Sequence, residues 1–268
     1  MVVDINKQIE TLIDWIKKSK NIVFFGGAGV STESGVPDFR SKDGLYNKKD
    51  VNFKDYEPEY LLSHGCLFNH PKVFYEFYRQ KMDTRNIEPN ITHKVLAKLE
   101  EIGKLNGIVT QNIDGLHQKA GSKNVYEIHG SALRTYCTNC KKKYDENFIF
   151  DNAEKIPTCP QCGGLVRPDI TLYSEILPFK EVTKSIQAIS NADMMIIGGT
   201  SLSVYPAANY ISEFHGEHIV VINKEEVQYN MKRILGFDDM EIITSLGDIF
   251  REVESHMNEI EYSCIKGE

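Results

Sequence analysis

The chain has 268 residues, enough for one large domain, or a large one and a smaller one, around a substantial core. Its 38 acidic side chains outnumber 31 basic ones, leaving a net charge of -7, so nucleic acid is not expected as the main partner; phosphate backbones are held by clustered Lys and Arg. No apolar run approaches the ~20 residues that span a bilayer, and the first residues lack a signal-peptide core, so a soluble, cytoplasmic protein without a membrane partner is expected.

Ile5, Ile9, Leu12, Ile13 and Ile16 recur at helical spacing and predict an amphipathic helix. Residues 22–25 are all apolar and predict a short buried strand. Gly26, Gly27 and Gly29 then clear large side chains from a turn, and Ser31 and Thr32 are residues that start helices, so backbone N–H groups could meet a phosphate there. The turn departs from G-x-G-x-x-G because Thr32 stands where the third glycine belongs. Next, Pro37-Asp38-Phe39-Arg40 sets a carboxylate, an aromatic face and a guanidinium beside that turn, which reads as part of a site.

Aromatic-rich segments at 56–62 and 71–82 predict a small helical insertion, with Phe74, Phe77 and Tyr78 on one side as core. Regular alternation resumes with a helix at 92–102 and strands at 107–110 and 125–128. Residues 132–166 are rich in Cys and Lys and poor in apolar groups, so they form a separate module. Beyond them come an extended stretch at 170–172, a helix at 179–190, a strand at 194–197, a helix from near Pro206, a strand at 218–222 and a closing helix at 248–257. Strands alternating with helices predict an α/β fold with a doubly wound parallel sheet and ligands at the strand C-termini.

Cys137-x2-Cys140 and Cys159-x2-Cys162 are 18 residues apart, the spacing of a four-cysteine zinc ribbon. Four thiolates close the tetrahedron, so one structural Zn is expected, with no position for a reactive water. Cys66 and Cys264 have no such partners. Thr110-Gln111-Asn112-Ile113-Asp114 follows a strand directly, which puts Gln111, Asn112 and Asp114 at a ligand-binding edge; an Asx turn is the alternative for this segment alone. His129 ends the next strand, where it can accept a proton near neutral pH, and Gly130 after it leaves room for substrate. Gly198 to Leu202 predicts a second phosphate- or ribose-facing loop, and Asn223 either binds a ribose diol or caps its strand.

The segments Gly27-Ala28-Gly29-Val30-Ser31, Ser34-Gly35-Val36-Pro37-Asp38-Phe39-Arg40, Thr110-Gln111-Asn112-Ile113-Asp114, His129-Gly130, the two C-x-x-C pairs and Gly199-Thr200-Ser201-Leu202 occur in the order found in sirtuins. The sequence resembles that family, the NAD-dependent protein-lysine deacylases, and its bacterial type in particular, over nearly its whole length. The resemblance implies a Rossmann-like domain (1–40, 86–131 and 167–268) and a smaller domain made of a helical insertion (41–85) and a zinc ribbon (132–166). NAD, consumed as a co-substrate, would meet acyl-lysine side chains of protein substrates in the cleft between them. Ala28, Thr32, Arg40, Thr200, Ser201, Asn223 and Asp248 would hold the adenosine, phosphate and ribose part of NAD. Phe39, Gln111, Asn112, Ile113 and Asp114 would surround its nicotinamide end. Asn112 and His129 would be catalytic, His129 as the general base on a ribose hydroxyl.

Three departures from the family pattern stand out. Gly26 replaces a frequent Thr, and Tyr173-Ser174-Glu175 replaces Phe-Gly-Glu in the strand expected to pair with substrate. The Tyr-x-x-Arg of the succinyl- and malonyl-removing branch reads Tyr78-Arg79-Gln80-Lys81, and an ammonium does not reproduce the two-pronged guanidinium grip on a carboxylate. Acetyl and longer neutral acyl groups are therefore expected. The competing functions are protein mono-ADP-ribosylation or NAD hydrolysis at the same site, a catalytically idle binding module, and a dehydrogenase; the last is weakened by the missing third glycine.

Overall fold

The computed structural model describes residues 4–39, 44–45, 53–151, 155–227 and 239–266. Arg40, one of the expected cofactor-binding residues, lies outside them. The strands are β1 (Ile22–Gly26), β2 (Leu105–Thr110), β3 (Val125–Glu127), β4 (Gly130–Cys137), β5 (Lys143–Asp145), β6 (Val166–Ile170), β7 (Met194–Gly198), β8 (His218–Asn223) and β9 (Met240–Ile243). The α-helices are α1 (Ile5–Lys18), α2 (Pro58–Leu61), α3 (His64–Asn69), α4 (Pro71–Lys81), α5 (Ile91–Glu101), α6 (Leu116–Lys119), α7 (Asn147–Phe150), α8 (Phe179–Ser190), α9 (Leu246–Ser255) and α10 (Met257–Lys266). No helix among the described residues is long and apolar enough to cross a membrane.

Six strands form a parallel sheet in the order β3-β2-β1-β7-β8-β9. Successive side chains of a strand point to opposite faces, and here both faces are covered. Ile22 and Phe24 of β1 pack with Leu12, Ile16, Leu96 and Phe250, from α1, α5 and α9. Val23 and Phe25 pack with Ala188 and Ile189 of α8 and with Ile211 on the other face. The all-apolar sequence of β1 is what burial on two faces requires. From β1 the chain steps outward to β2 and β3, then returns to the other side of β1 with β7. The strand order therefore reverses between β1 and β7, and the crevice at their C-terminal ends is where such a sheet binds ligands.

The second sheet is antiparallel, β5-β4-β6, and carries the four clustered cysteines. It shares a core with the helical insertion: Phe74, Tyr75, Phe77 and Tyr78 of α4 pack with Ile149 and Phe150 of α7 and with Ile170. The Tyr75 hydroxyl donates to the Val166 carbonyl at 2.6 Å, fixing α4 to β6. The aromatic side of α4 is core, as its spacing predicts.

Three local expectations need correction. No α-helix starts at Ser31 or Thr32: the chain makes two 3₁₀ turns, Ala28–Val30 and Thr32–Ser34, the second ended by Gly35 at φ 89°. The segment from Pro206 winds as a 3₁₀ helix, Ala207–Glu213. The chain also adds β9 and α10, which apolar periodicity alone did not resolve.

Candidate active site

A cleft of about 1470 Å³ opens at the β1/β7 switch point. Its floor is two backbone turns pressed together. Gly27 N–H donates to the Gly198 carbonyl at 3.2 Å, and Gly29 N–H to the Gly199 carbonyl at 2.8 Å. A Cβ on Gly29 would stand 2.7 Å from the Gly199 Cα, and one on Gly199, whose φ is 60°, would stand 2.5 Å from the Val30 nitrogen. These glycines thus serve the approach of one turn to the other as much as room for a ligand.

On this floor three side chains converge. Ser31, fully buried, donates its hydroxyl to the Asp114 carboxylate at 2.6 Å and accepts from the Asn112 amide at 3.1 Å. Asp114 also takes the Leu116 N–H at 2.9 Å, so it starts α6 while its other oxygen faces Ser31. Burial raises the Asp114 pKa from its ordinary value, and the Ser31 and Leu116 hydrogen bonds oppose that rise. Local sequence marks Ser31 as a helix-starting residue. Its bridging role depends on a partner 83 positions away, which no local pattern records.

His129 lines the same cleft, with Nδ1 2.9 Å from the Gln111 carbonyl. A carbonyl only accepts, so Nδ1 carries a hydrogen directed at it. Gly130 behind it has a different role from the expected one. At φ 76°, a Cβ there would come within 2.1 Å of the Asp169 carbonyl on β6, so the glycine lets β4 and β6 pair rather than making room for substrate.

The cleft lining also includes Ala28, Thr32, Phe39, Gln111, Ile113, Thr200, Ser201 and Asn223. The Asn223 amide is engaged at both ends with the Thr200 backbone, accepting from its N–H at 3.1 Å and donating to its carbonyl at 2.7 Å. It braces the loop after β7. Gln111 reaches the same loop through the Thr200 hydroxyl at 3.1 Å. Asp248 is not brought into the lining: its carboxylate is held by the Ser245 hydroxyl at 2.7 Å and by Arg251 at 2.8 Å in the first turn of α9. The Tyr78 and Lys81 positions separate. Tyr78 is wholly buried and stacked between Phe74 and Phe150, whereas Lys81 lines the cleft.

In the ribbon, Cys137 and Cys162 sulfurs are 3.5 Å apart and those of Cys140 and Cys159 3.7 Å; all four lie within 4.8 Å of one another. A tetrahedral zinc with bonds of ~2.3 Å requires sulfur separations of about 3.8 Å. The donor set and its spacing fit that ion, with no open position. The Tyr144 hydroxyl, 3.0 Å from the Cys159 sulfur, is the main cause pulling that thiol down to about 6.

The model of the Sir2 family matches residues 27–206. An NAD-dependent protein deacetylase of Clostridium tetani is 50% identical over 91% of this chain and 98% of its own length. Its counterpart in Clostridium perfringens is 52% identical over 92% and 98%. A solved Sir2 structure with deacetylated p53 peptide and 3'-O-acetyl ADP ribose superposes with a TM-score of 0.81, at 33% identity over 92% of this chain and 98% of that one. A Sir2 structure with p53 peptide and NAD+ gives 0.78 at 33% identity, over 94% and 99%. A parallel sheet open between β1 and β7, a ribbon of four cysteines and a match of this length lead to one conclusion: the chain belongs to the Sir2 family.

Proposed function

We propose that the protein is an NAD-dependent protein-lysine deacylase, which moves the acyl group of a modified lysine onto ADP-ribose and releases nicotinamide. The observation that carries this reading is the convergence of Asn112, Ser31, Asp114 and His129 in one cleft at the switch point. The relatives named as NAD-dependent protein deacetylases support it. When bound, NAD supplies an activated glycosidic carbon with nicotinamide as its leaving group.

The chain's own groups then divide the work. Asp114, fixed by Ser31, orients the nicotinamide end, and Phe39 and Ile113 shield that carbon from water. Asn112 holds a ribose hydroxyl or an ordered water beside the reacting carbon. His129 takes a proton at Nε2 from a ribose hydroxyl. Thr200 and Ser201, on the loop braced by Asn223, hold the phosphates and outer ribose with Ala28 and Thr32. Arg40 joins them by resemblance. Asp248 borders that end next to Thr244 and Leu246, which line the cleft. The Rossmann-like part (1–40, 86–131, 167–268) carries NAD. The insertion and ribbon (41–85, 132–166) supply the opposite wall, in which Cys137, Cys140, Cys159 and Cys162 would hold a structural zinc. The consumption of NAD and the need for four reduced thiols suit the cytoplasm.

The test is nicotinamide release by the zinc-loaded protein with and without an acetyl-lysine peptide, following peptide mass in the same reaction. Release should require the peptide, the peptide should lose its acetyl group, and His129→Ala should lower both by about 10³-fold. Release without peptide, or a gain of ADP-ribose on protein, would replace this reading with NAD hydrolysis or mono-ADP-ribosylation. Neither reaction would leave a binding module.

A further inference from the structure

The rim of the cleft is apolar in a way that the reaction does not use. Ile176 and Phe179 are 96% and 85% exposed, the two most exposed large apolar side chains among the described residues, and both line the mouth of the cleft. Their backbone is clamped on each side. Upstream, Ser174 turns the chain at φ 72°. The Glu175 carboxylate then takes two hydrogen bonds from Arg167, at 2.5 and 2.9 Å, and one from the Leu172 N–H at 2.9 Å. Burial works against the Glu175 charge, but the Arg167 contacts outweigh it and hold the carboxyl below its usual range. Downstream, Pro178 has a fixed φ and leads into α8, which is anchored by buried Ser185, Ala188 and Ile189. A loose loop would tuck two such side chains away. This one holds them in water, and surface already fixed in place can be covered at little ordering cost.

We propose that Ile176 and Phe179 form a recognition ledge for a large apolar side chain flanking the acyl-lysine, so that the protein selects modified segments with Leu, Ile, Met or Phe beside the lysine. The proposal rests on the deacylase reading. Its occupant follows from continuity: Leu172 and Tyr173 join the ledge to the cleft wall, so an extended segment whose lysine enters the cleft lays its neighbouring residues across Ile176 and Phe179.

Acetyl-lysine peptides carrying Leu, Ser or Asp at each of the two positions on either side of the lysine test the ledge, with NAD and the zinc-loaded protein. For the wild type, kcat/KM for the best Leu peptide should exceed that for its Ser counterpart about tenfold, mainly through KM. In the Ile176→Ser, Phe179→Ser double variant that ratio should fall below about twofold with the melting temperature kept, while Phe179→Leu should retain it. An equal ratio in wild type and double variant, or a wild type indifferent to the flanks, overturns the ledge. So does a double variant that keeps the preference but changes from dimer to monomer in sedimentation, which would make the patch a self-association surface. Absence of deacetylation for every peptide refutes the deacylase reading instead; fluorescence anisotropy of the same peptides then still decides whether the ledge binds the Leu flank.

Discussion

The two central strands of the six-stranded sheet, β1 and β7, are buried at every position, whereas among the described residues the ribbon's own apolar cluster is Cys137, Cys159 and Val166, with Tyr144 and Phe148 against it. The sheet is held by area removed from water, spread over side chains from α1, α5, α8 and α9. The ribbon has too little of that area, and its stability is concentrated in four sulfurs. The two regions therefore break in different ways. A sheet of this kind loses stability in small steps as side chains are trimmed, while a metal-closed ribbon loses it at once.

Zinc removal should therefore have the largest effect and the most local one. Structural zinc contributes ~10–16 kcal/mol in small cysteine sites. Chelation should release one zinc per chain and abolish amide-exchange protection in β4 and β5, while β1, β7 and β8 keep theirs. If protection falls together in both sheets, the two regions are one cooperative unit and the contrast is wrong. Because the ribbon shares a core with α4 through Tyr75, Tyr78 and Phe150, the wall of the cleft should loosen with it and activity should be lost.

The seam between the regions is next. Gly130 lets β4 leave the parallel sheet and pair with β6, and an added Cβ would meet the Asp169 carbonyl at 2.1 Å and the Ile170 Cα at 2.9 Å. Gly130→Ala should cost about 4 kcal/mol in urea unfolding, since two backbones must separate. Gly35 is the control: its φ is 89°, but nothing lies within 4 Å of its added Cβ, so Gly35→Ala should cost only about 1 kcal/mol. Equal costs would mean that backbone strain, not the β4–β6 approach, sets the value.

The sheet strands declare themselves because burial on both faces demands unbroken apolar runs, as at Ile22 to Phe25 and Met194 to Ile197. The ribbon declares itself by cysteine spacing. Hidden were features set by distant partners: Ser31 bridging Asn112 and Asp114, Gly130 fitted to Asp169, and Asn223 turned onto Thr200. β9, a four-residue strand with Glu241 inside it, has no clear period. Ser31 and Thr32 suggested a helix, yet the close contact of Gly29 with Gly199 leaves the turn in 3₁₀ form.

Acidification separates the regions by another route. His93 of α5 and His117 of α6 lie beside the sheet, buried, with ring centroids 4.7 Å apart and no hydrogen-bond partner for any of their four ring nitrogens among the described residues. Burial lowers the His93 pKa to about 4 and holds His117 well below its ordinary value. In the unfolded chain both return to ~6.5. Between those values the unfolded state binds protons that the folded state refuses, so stability is full above pH ~6.5 and falls as the pH drops toward 4. For His93 alone the loss over that interval is about 3 kcal/mol. Urea unfolding from pH 8 to 5 should show that slope, and His93→Leu should flatten it without altering zinc content. A slope unchanged by His93→Leu but removed when the zinc is chelated first would assign the acid sensitivity to the ribbon rather than to His93.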